Sequence, residues 1–191
     1  MKKILLFASG NGSNAENIIK YFKNNPKIEV SGVFTNNPNA SVIAKSNYHN
    51  IPTFVFNKSD LYDDCVKSKI FQVEPDLIVL AGFLLKFPEH IISSYPNKVI
   101  NLHPALLPNY GGKGMYGIKV HQTVLDNKEK ETGITVHYVN EHYDEGEFIF
   151  QEKVNIEDCV SADEIANKIH ELEHKHFPKI IEKLLTSNFV P

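Results

Sequence analysis

An asparagine and a histidine two residues apart, Asn101 and His103, end an apolar run that is typical of a buried strand. Because side chains alternate along a strand, both point to the same side. An amide beside an imidazole supplies the donors that stabilise an oxyanion when a carbonyl group is attacked. Asp144 lies in a later polar turn, and a carboxylate near His103 would favour the imidazolium and could accept a proton from an attacking amine. The pattern indicates acyl transfer; a loop cap and an ordinary buried histidine are the alternative.

A glycine-containing loop, residues 9–14, separates the first predicted strand from the first helix. Glycines let backbone N–H groups approach a ligand, and a helix N-terminus favours an anion. The loop loosely matches a dinucleotide-binding motif, but residues 35–37 are Thr-Asn-Asn, where that motif needs a carboxylate. We therefore predict a phosphate site at Gly12, Ser13 and Asn14, with a tight turn that binds no ligand as the alternative.

The segment His170-Glu171-Leu172-Glu173-His174 matches the H-E-x-x-H pattern of zinc proteases. Its spacing places both histidines on one helix face, and Glu182 could be proposed as a third ligand. However, no third histidine follows at the spacing of the extended motif, and Pro178 is expected to limit the helix. We predict no metal and keep a zinc hydrolase as a remote alternative.

Short apolar runs alternate with helical patterns, which predicts one α/β domain over residues 1–191 with a mostly parallel sheet. Residues 1–100 form the predicted phosphate-binding half, and residues 101–191 the predicted catalytic half. Strands are predicted at residues 4–8, 30–35, 53–56, 77–81, 98–102, 135–139 and 148–153. Helices are predicted at about residues 14–24, 38–45, 61–73, 88–94, 118–125 and 161–185.

Composition and charge narrow the possible partners. The net charge of -3 gives no basic excess for binding nucleic acid, and no apolar stretch approaches a membrane span. The apolar start is too short for a secretory leader and is read as a strand. Two distant cysteines, Cys65 and Cys159, favour a reducing, cytoplasmic compartment. We expect small-molecule partners, with monomer and homodimer both left open.

Four segments together resemble the folate-dependent formyltransferase family: residues 9–14, Val-Leu-Ala-Gly-Phe at 79–83, Asn-Leu-His-Pro-Ala-Leu-Leu-Pro at 101–108, and the turn ending Asp-Glu-Gly at 144–146. The resemblance spans nearly the whole chain and is closest to the members that act on phosphoribosylglycinamide. It implies a Rossmann-like fold with helices on both faces of the sheet, in which the catalytic half, residues 101–191, also binds the folate. It also implies formyl transfer from the co-substrate 10-formyltetrahydrofolate to the glycine amine of 5'-phosphoribosylglycinamide in purine biosynthesis, without a metal.

Related enzymes that use water or transfer RNA as the formyl acceptor usually carry a further domain. A chain of 191 residues leaves little room for such a further domain, so we keep water and transfer RNA only as alternative formyl acceptors.

The resemblance also assigns residues by position. Asn101, His103 and Asp144 match the catalytic residues, Gly12, Ser13 and Asn14 match the phosphate loop, and Glu173, with His170 beside it, matches a contact to the glycinamide substrate. The implied folate site consists of Leu84, Leu85, Lys86, Phe87, Asn101, Asn140, Glu141, His142, Tyr143 and Asp144. Ala105 and the pair Leu85-Lys86 depart from the residues common there. The family's folate site also contains an arginine that has no clear match in this sequence. Lys58 and Ser59 lie near the position where it would be expected.

Overall fold

A computed structural model describes residues 1–186, so the last five positions of the predicted domain lie outside the described residues. Within the described range one seven-stranded sheet has the order β3-β2-β1-β4-β5-β6-β7. Its strands are β1 (Lys2–Phe7), β2 (Ile28–Thr35), β3 (Thr53–Val55), β4 (Leu77–Leu80), β5 (Val99–His103), β6 (Glu131–Tyr138) and β7 (Phe148–Asn155). Strands β1 to β5 pair in parallel, whereas β6 and β7 are antiparallel. The predicted mostly parallel α/β fold is confirmed.

Helices cover both faces of this sheet. They are α1 (Ser13–Phe22), α2 (Val42–Tyr48), α3 (Lys58–Tyr62), α4 (Asp64–Val73), α5 (Glu89–Ile92), α6 (Ile118–Asp126) and α7 (Ala162–Thr186). Along β1, Ile4 and Leu6 pack with α1 and α7, whereas Leu5 and Phe7 pack with α3, α4 and α5. Because both faces of β1 are buried, the strand is apolar at every central position rather than alternating.

The structure corrects two sequence-based expectations about the helices. The predicted helix over residues 61–73 is two helices, because the Asp63 side chain accepts a hydrogen bond from the Cys65 N–H (2.7 Å) and caps a new start. Helix α7 runs through Pro178 to Thr186, as the predicted range of residues 161–185 required, so the expectation that Pro178 limits the helix is wrong. Phe177 and Ile181, buried on its inner face, stabilise the continuation, since apolar burial outweighs a helix-interior proline cost of about 3 kcal/mol.

The direction in which the strands are added reverses between β1 and β4, which are neighbours in the sheet. Ligands of open α/β sheets bind beyond the carboxyl ends of the strands at such a point. Ser9, directly after β1, ties the neighbouring loops together here. Its hydroxyl donates to Asn36 Oδ1 (2.6 Å) and accepts from the Leu84 N–H (3.0 Å), and its N–H donates to the Gly82 carbonyl.

Two further features bear on the sequence-based expectations. In the part of the chain that the structure describes, no helix is both long and apolar enough to cross a membrane. Cys65 and Cys159 are both free thiols.

Candidate active site

A cavity of about 910 Å³ lies at the carboxyl ends of β1, β4 and β5, between the loop that follows β6 and helices α6 and α7. We call it the switch-point cavity. Its volume is at the upper end of the range of roughly 300–1,000 Å³ typical of small-molecule sites, so it has room for more than one small ligand. The predicted phosphate loop, the predicted acyl-transfer residues and most of the predicted folate site line it.

Asn101, His103 and Asp144 come together in this cavity from distant parts of the sequence. Asn101 and His103 both lie in β5, and Asp144 belongs to the loop between β6 and β7. The Asn101 amide donates to Asp144 Oδ1 (3.4 Å), and Asp144 Oδ2 lies 3.5 Å from His103 Nδ1. The structure therefore brings into contact the amide, imidazole and carboxylate that the sequence predicted as one site.

A glycine loop holds the Asp144 carboxylate. The Gly112 N–H donates to Asp144 Oδ2 over 2.9 Å, with Gly112 at φ +93°, a conformation that L side chains rarely adopt. Asp144 itself has a φ of +58°, which directs its side chain back toward β5. Sequence analysis did not find this function of residues 111–114, since a backbone donor leaves no side-chain signature.

The segment after His103 is fixed by one buried hydroxyl. Thr135 Oγ1 donates to the Ala105 carbonyl (2.7 Å) and accepts from the Leu107 N–H (3.0 Å). The Gln151 amide adds a bond to the Leu107 carbonyl (2.9 Å), and the Leu107–Pro108 peptide bond is cis. These contacts hold the chain that leaves β5 against β6 and β7.

The charge states of His103 and Asp144 follow from burial and contacts. Burial acts to raise the pKa of Asp144, but His137, His103 and the Gly112 N–H outweigh it, so the pKa lies below its usual value. Burial also lowers the pKa of His103, and Asp144 and the Tyr110 carbonyl only partly oppose this. Asp144 favours the imidazolium, as expected, but burial is the larger effect, so the pKa of His103 in the free protein lies below its usual value. The His103 ring is neutral at pH 7, with Nε2 donating to the Tyr110 carbonyl (2.8 Å).

His137 is part of the same cluster and was missed by sequence analysis. It is buried in β6 directly opposite Asn101, and its Nε2 lies 3.1 Å from Asn101 Nδ2 and 3.6 Å from Asp144 Oδ1. Its Nδ1 donates to the Tyr138 carbonyl over 2.8 Å. The available signal was the alternation of polar Thr135 and His137 with apolar Ile134, Val136 and Tyr138 in β6.

The predicted phosphate loop begins α1. Gly12 has a φ of +72°, and a Cβ atom there would overlap the Val42 side chain, so only glycine fits. No side chain caps the helix, which leaves the first N–H groups free to bind an anion. The Asn14 amide is used otherwise: it donates to Glu173 Oε2 (2.8 Å). A phosphate would therefore meet the backbone of Asn14 rather than its side chain.

Glu173 and His170 lie on the inner face of α7, as their spacing predicted. His170 Nδ1 is 3.3 Å from Glu173 Oε2, and both residues line the switch-point cavity. Glu182, the carboxylate that could be proposed as a third zinc ligand, accepts a hydrogen bond from the Tyr21 hydroxyl (2.6 Å) elsewhere on the surface. Among residues 1–186, no group of three histidine, cysteine, aspartate or glutamate side chains is arranged to hold a metal.

The predicted folate residues mostly line the cavity. Those that do are Leu84, Leu85, Lys86, Phe87, Asn101, Asn140, His142, Tyr143 and Asp144. Glu141 and Lys58 are exposed and do not line it. Phe87 is largely a core residue, with its ring 5.1 Å from that of Phe7, and the Lys86 carbonyl is occupied by the Tyr62 hydroxyl (3.0 Å). Leu84 and Tyr143 expose large apolar surfaces at the cavity.

Comparisons with known proteins agree with this arrangement. A phosphoribosylglycinamide formyltransferase of Bacillus subtilis (strain 168) is 34% identical over 194 residues, which cover 98% of this chain and 97% of that protein. A chloroplastic protein of the same name from Arabidopsis thaliana is 33% identical over 94% of this chain, which spans 64% of the plant protein's length. A crystal structure of phosphoribosylglycinamide formyltransferase from Bacillus halodurans superposes with a TM-score of 0.87 at 31% identity, covering 97% of this chain and 96% of that one. The family description "Formyl transferase" matches residues 2–181, and the chain belongs to the formyl transferase family.

Proposed function

We propose that this enzyme transfers the formyl group of 10-formyltetrahydrofolate to the glycine amine of 5'-phosphoribosylglycinamide, in the synthesis of purines. The observation that carries the proposal is the contact of Asn101, His103 and Asp144 inside a cavity that also contains an uncapped helix N-terminus. The first group suits attack on a carbonyl carbon, and the second suits a phosphate. The relatives named phosphoribosylglycinamide formyltransferase support the same substrates.

The two ends of the cavity suit two different ligands. Gly12, Ser13 and the Asn14 backbone offer N–H groups to the phosphate at the start of α1. At the other end, the apolar surfaces of Leu84 and Tyr143 suit the flat ring system of a folate. Bound in this way, the phosphorylated substrate and the formyl donor meet at β5. No nucleic acid, membrane or metal is needed, a cytoplasmic location is in keeping with the free thiols, and either a monomer or a homodimer suffices.

The folate supplies the formyl carbon, already activated by its bond to N10. The amine nitrogen of the substrate forms a bond to this carbon, the bond to N10 breaks, and the proton lost from the amine ends on N10. Asn101 and His103 donate hydrogen bonds to the oxyanion that develops. His103 takes up a proton from solvent as the oxyanion forms, Asp144 stabilises the resulting positive charge, and the proton returns to solvent when the oxyanion collapses. In the free protein these groups bond to each other and to the Tyr110 carbonyl, so they exchange partners when substrate binds.

Formyl transfer by the purified chain tests the proposal. We expect formylated product only when phosphoribosylglycinamide and 10-formyltetrahydrofolate are both present, and a large loss of activity in His103→Ala and in Asn101→Ala. Asn47→Ala, which changes an exposed asparagine of α2, serves as a matched control for Asn101→Ala. Formate release that does not depend on phosphoribosylglycinamide would show that water is the formyl acceptor. Formylation of transfer RNA would show that RNA is the acceptor, and either result would contradict the proposal.

A further inference from the structure

One short stretch of backbone, residues 110–112, holds both members of the pair His103 and Asp144. The Tyr110 carbonyl accepts the hydrogen bond from His103 Nε2 (2.8 Å), and the Gly112 N–H donates to Asp144 Oδ2 (2.9 Å). Both contacts come from the main chain, so their geometry depends on where this segment lies. The contacts that fix residues 110–112 therefore also fix the histidine ring and the carboxylate beside it.

The Tyr110 side chain fastens this segment to a different part of the fold. Its hydroxyl donates to Glu129 Oε1 (2.6 Å) and accepts from Asn127 Nδ2 (3.0 Å), and both partners lie in the turn between α6 and β6. A hydrogen bond to a carboxylate is roughly twice as strong as one between neutral groups. Tyr110 has a φ of +58°, which is unfavourable for a residue with a side chain, so this anchor also holds a strained backbone in place.

The anchor lies outside the switch-point cavity. Tyr110, Asn127 and Glu129 do not line it, and Asn127 and Glu129 are exposed at the surface. Burial and the hydrogen bond to Glu129 raise the pKa of Tyr110, so the hydroxyl keeps its proton at neutral pH and remains a donor. Any effect of this hydroxyl on the reaction must therefore pass through the backbone of residues 110–112.

We propose that Tyr110 is a positioning residue whose hydroxyl, anchored by Glu129, holds the backbone that orients His103 and places Asp144. This assignment rests on the proposed function for the reaction that the pair carries out. With Nε2 as the donor nitrogen, the neutral ring has a single tautomer, and Nδ1 faces Asp144, ready to take up a proton. Groups that are in place before the reaction stabilise developing charge without reorganising, so a fixed segment favours the transition state.

Tyr110→Phe tests the assignment, because it removes the hydroxyl and keeps the ring. It changes none of the titratable side chains that face His103, which are Asp144, His137, His121 and Glu173. The Tyr110 carbonyl acts to raise the pKa of His103, so a loosened segment should lower that pKa. Histidine titration followed by NMR measures it without any chemical step, with the His103 signal identified by its absence from His103→Gln.

Formyl-transfer kinetics should report the same loosening. We expect kcat of Tyr110→Phe to fall about tenfold, less than the loss of about 100-fold for a 1 Å misplacement, since the segment keeps its other contacts. The basic limb of the kcat profile should move to lower pH. The KM for both substrates should stay the same, because Tyr110 does not line the cavity. Glu129→Ala should have the same effects, and the double variant should lose no more than either single variant, since both changes remove one bond.

Tyr21→Phe is the matched control. The Tyr21 hydroxyl donates to Glu182 over the same 2.6 Å, but it joins α1 to α7, away from residues 110–112. This variant should melt below the parent by a similar amount, with a parental His103 pKa, kcat and basic limb. Equal changes of these three in Tyr21→Phe and Tyr110→Phe would overturn the assignment, because they would reflect a general loss of stability.

Two independent readouts separate this inference from the proposed function. Formyl transfer by the parent, with the pKa of His103 or kcat unchanged in folded Tyr110→Phe, contradicts the inference alone. If that variant does not fold, the same result in Glu129→Ala contradicts it. A His103 pKa that depends on the Tyr110 hydroxyl, in a parent without formyl transfer, contradicts the proposed function alone.

Discussion

Replacing Asp144 by asparagine removes one negative charge from the site and keeps the shape of the side chain. The amide oxygen can still accept the hydrogen bond from the Gly112 N–H, so the loop that follows β6 should stay in place. Exchanging a charged acceptor for a neutral one at this bond should lower the free energy of unfolding by about 1 kcal/mol. The main expected loss is therefore in the chemical step rather than in folding.

The size of that loss follows from the distance between Asp144 and His103. Their closest atoms are 3.5 Å apart, with side chains 11% and 4% exposed. Two unit charges at this separation attract by about 5 kcal/mol at an effective dielectric constant of about 20. If a little over half of the positive charge on His103 has developed in the transition state, about 3 kcal/mol is lost, and kcat falls roughly 100- to 200-fold.

Formyl transfer measured at saturating substrates over a pH series gives both the rate and the charge state. Because Asp144 raises the pKa of His103 against the effect of burial, its removal lowers that pKa further. The basic limb of the kcat profile should therefore move to lower pH. Glu145→Gln, an exposed residue of the same turn, is the matched control and should leave both readouts unchanged. Parental kcat and an unshifted basic limb in a folded Asp144→Asn protein would refute the electrostatic function of Asp144.

Three further outcomes are expected. Asn101→Ala should lower kcat by about 100- to 1,000-fold, with the enzyme still folded, and near-parental turnover would remove Asn101 from the chemistry. Gly12→Ala should raise the KM for the phosphorylated substrate and lower the melting temperature, because Val42 occupies the space of the new methyl group and φ is positive; unchanged values would contradict the anion-site geometry. Burial acts to raise the pKa of Asp76, but Lys2 and the Lys3 N–H lower it overall, so the stabilisation that its carboxylate provides is lost as the pH falls. The melting temperature of Asp76→Asn should lie below that of the parent at pH 7. The difference between the two melting temperatures should disappear as the pH falls below about 4.

The parallel part of the fold could be predicted because each central strand is a short apolar run between helical patterns. Asn101 and His103 share one side of β5 for a reason visible in the sequence, the alternation of side chains along a strand. The break at Asp63 could not be predicted in this way, nor could the contacts that carry α7 through Pro178. Both depend on which local contact outweighs a propensity: a side-chain cap in the first case, buried apolar packing in the second.

The contact of Asp144 with β5 required more than local pattern. It depends on the antiparallel pairing of β5 with β6, on the left-handed conformation of Asp144, and on the Gly112 N–H. The same pairing places His137 opposite Asn101. Neither relation can be derived from spacing along the chain, because register between distant strands is set by tertiary packing. The polar turn and the family resemblance, rather than the spacing, indicated Asp144.

Burial explains why the charge of His103 could not be predicted from its neighbours alone. Proximity to a carboxylate favours the imidazolium, whereas removal from water disfavours it, and only coordinates show which effect is larger. Here the free protein holds an ionised Asp144 beside a neutral His103. In the proposed mechanism the oxyanion that forms on the substrate adds a second negative charge beside the ring. Protonation of His103 then becomes favourable at the step that needs it, so that a histidine neutral in the free enzyme stabilises the transition state more than the ground state.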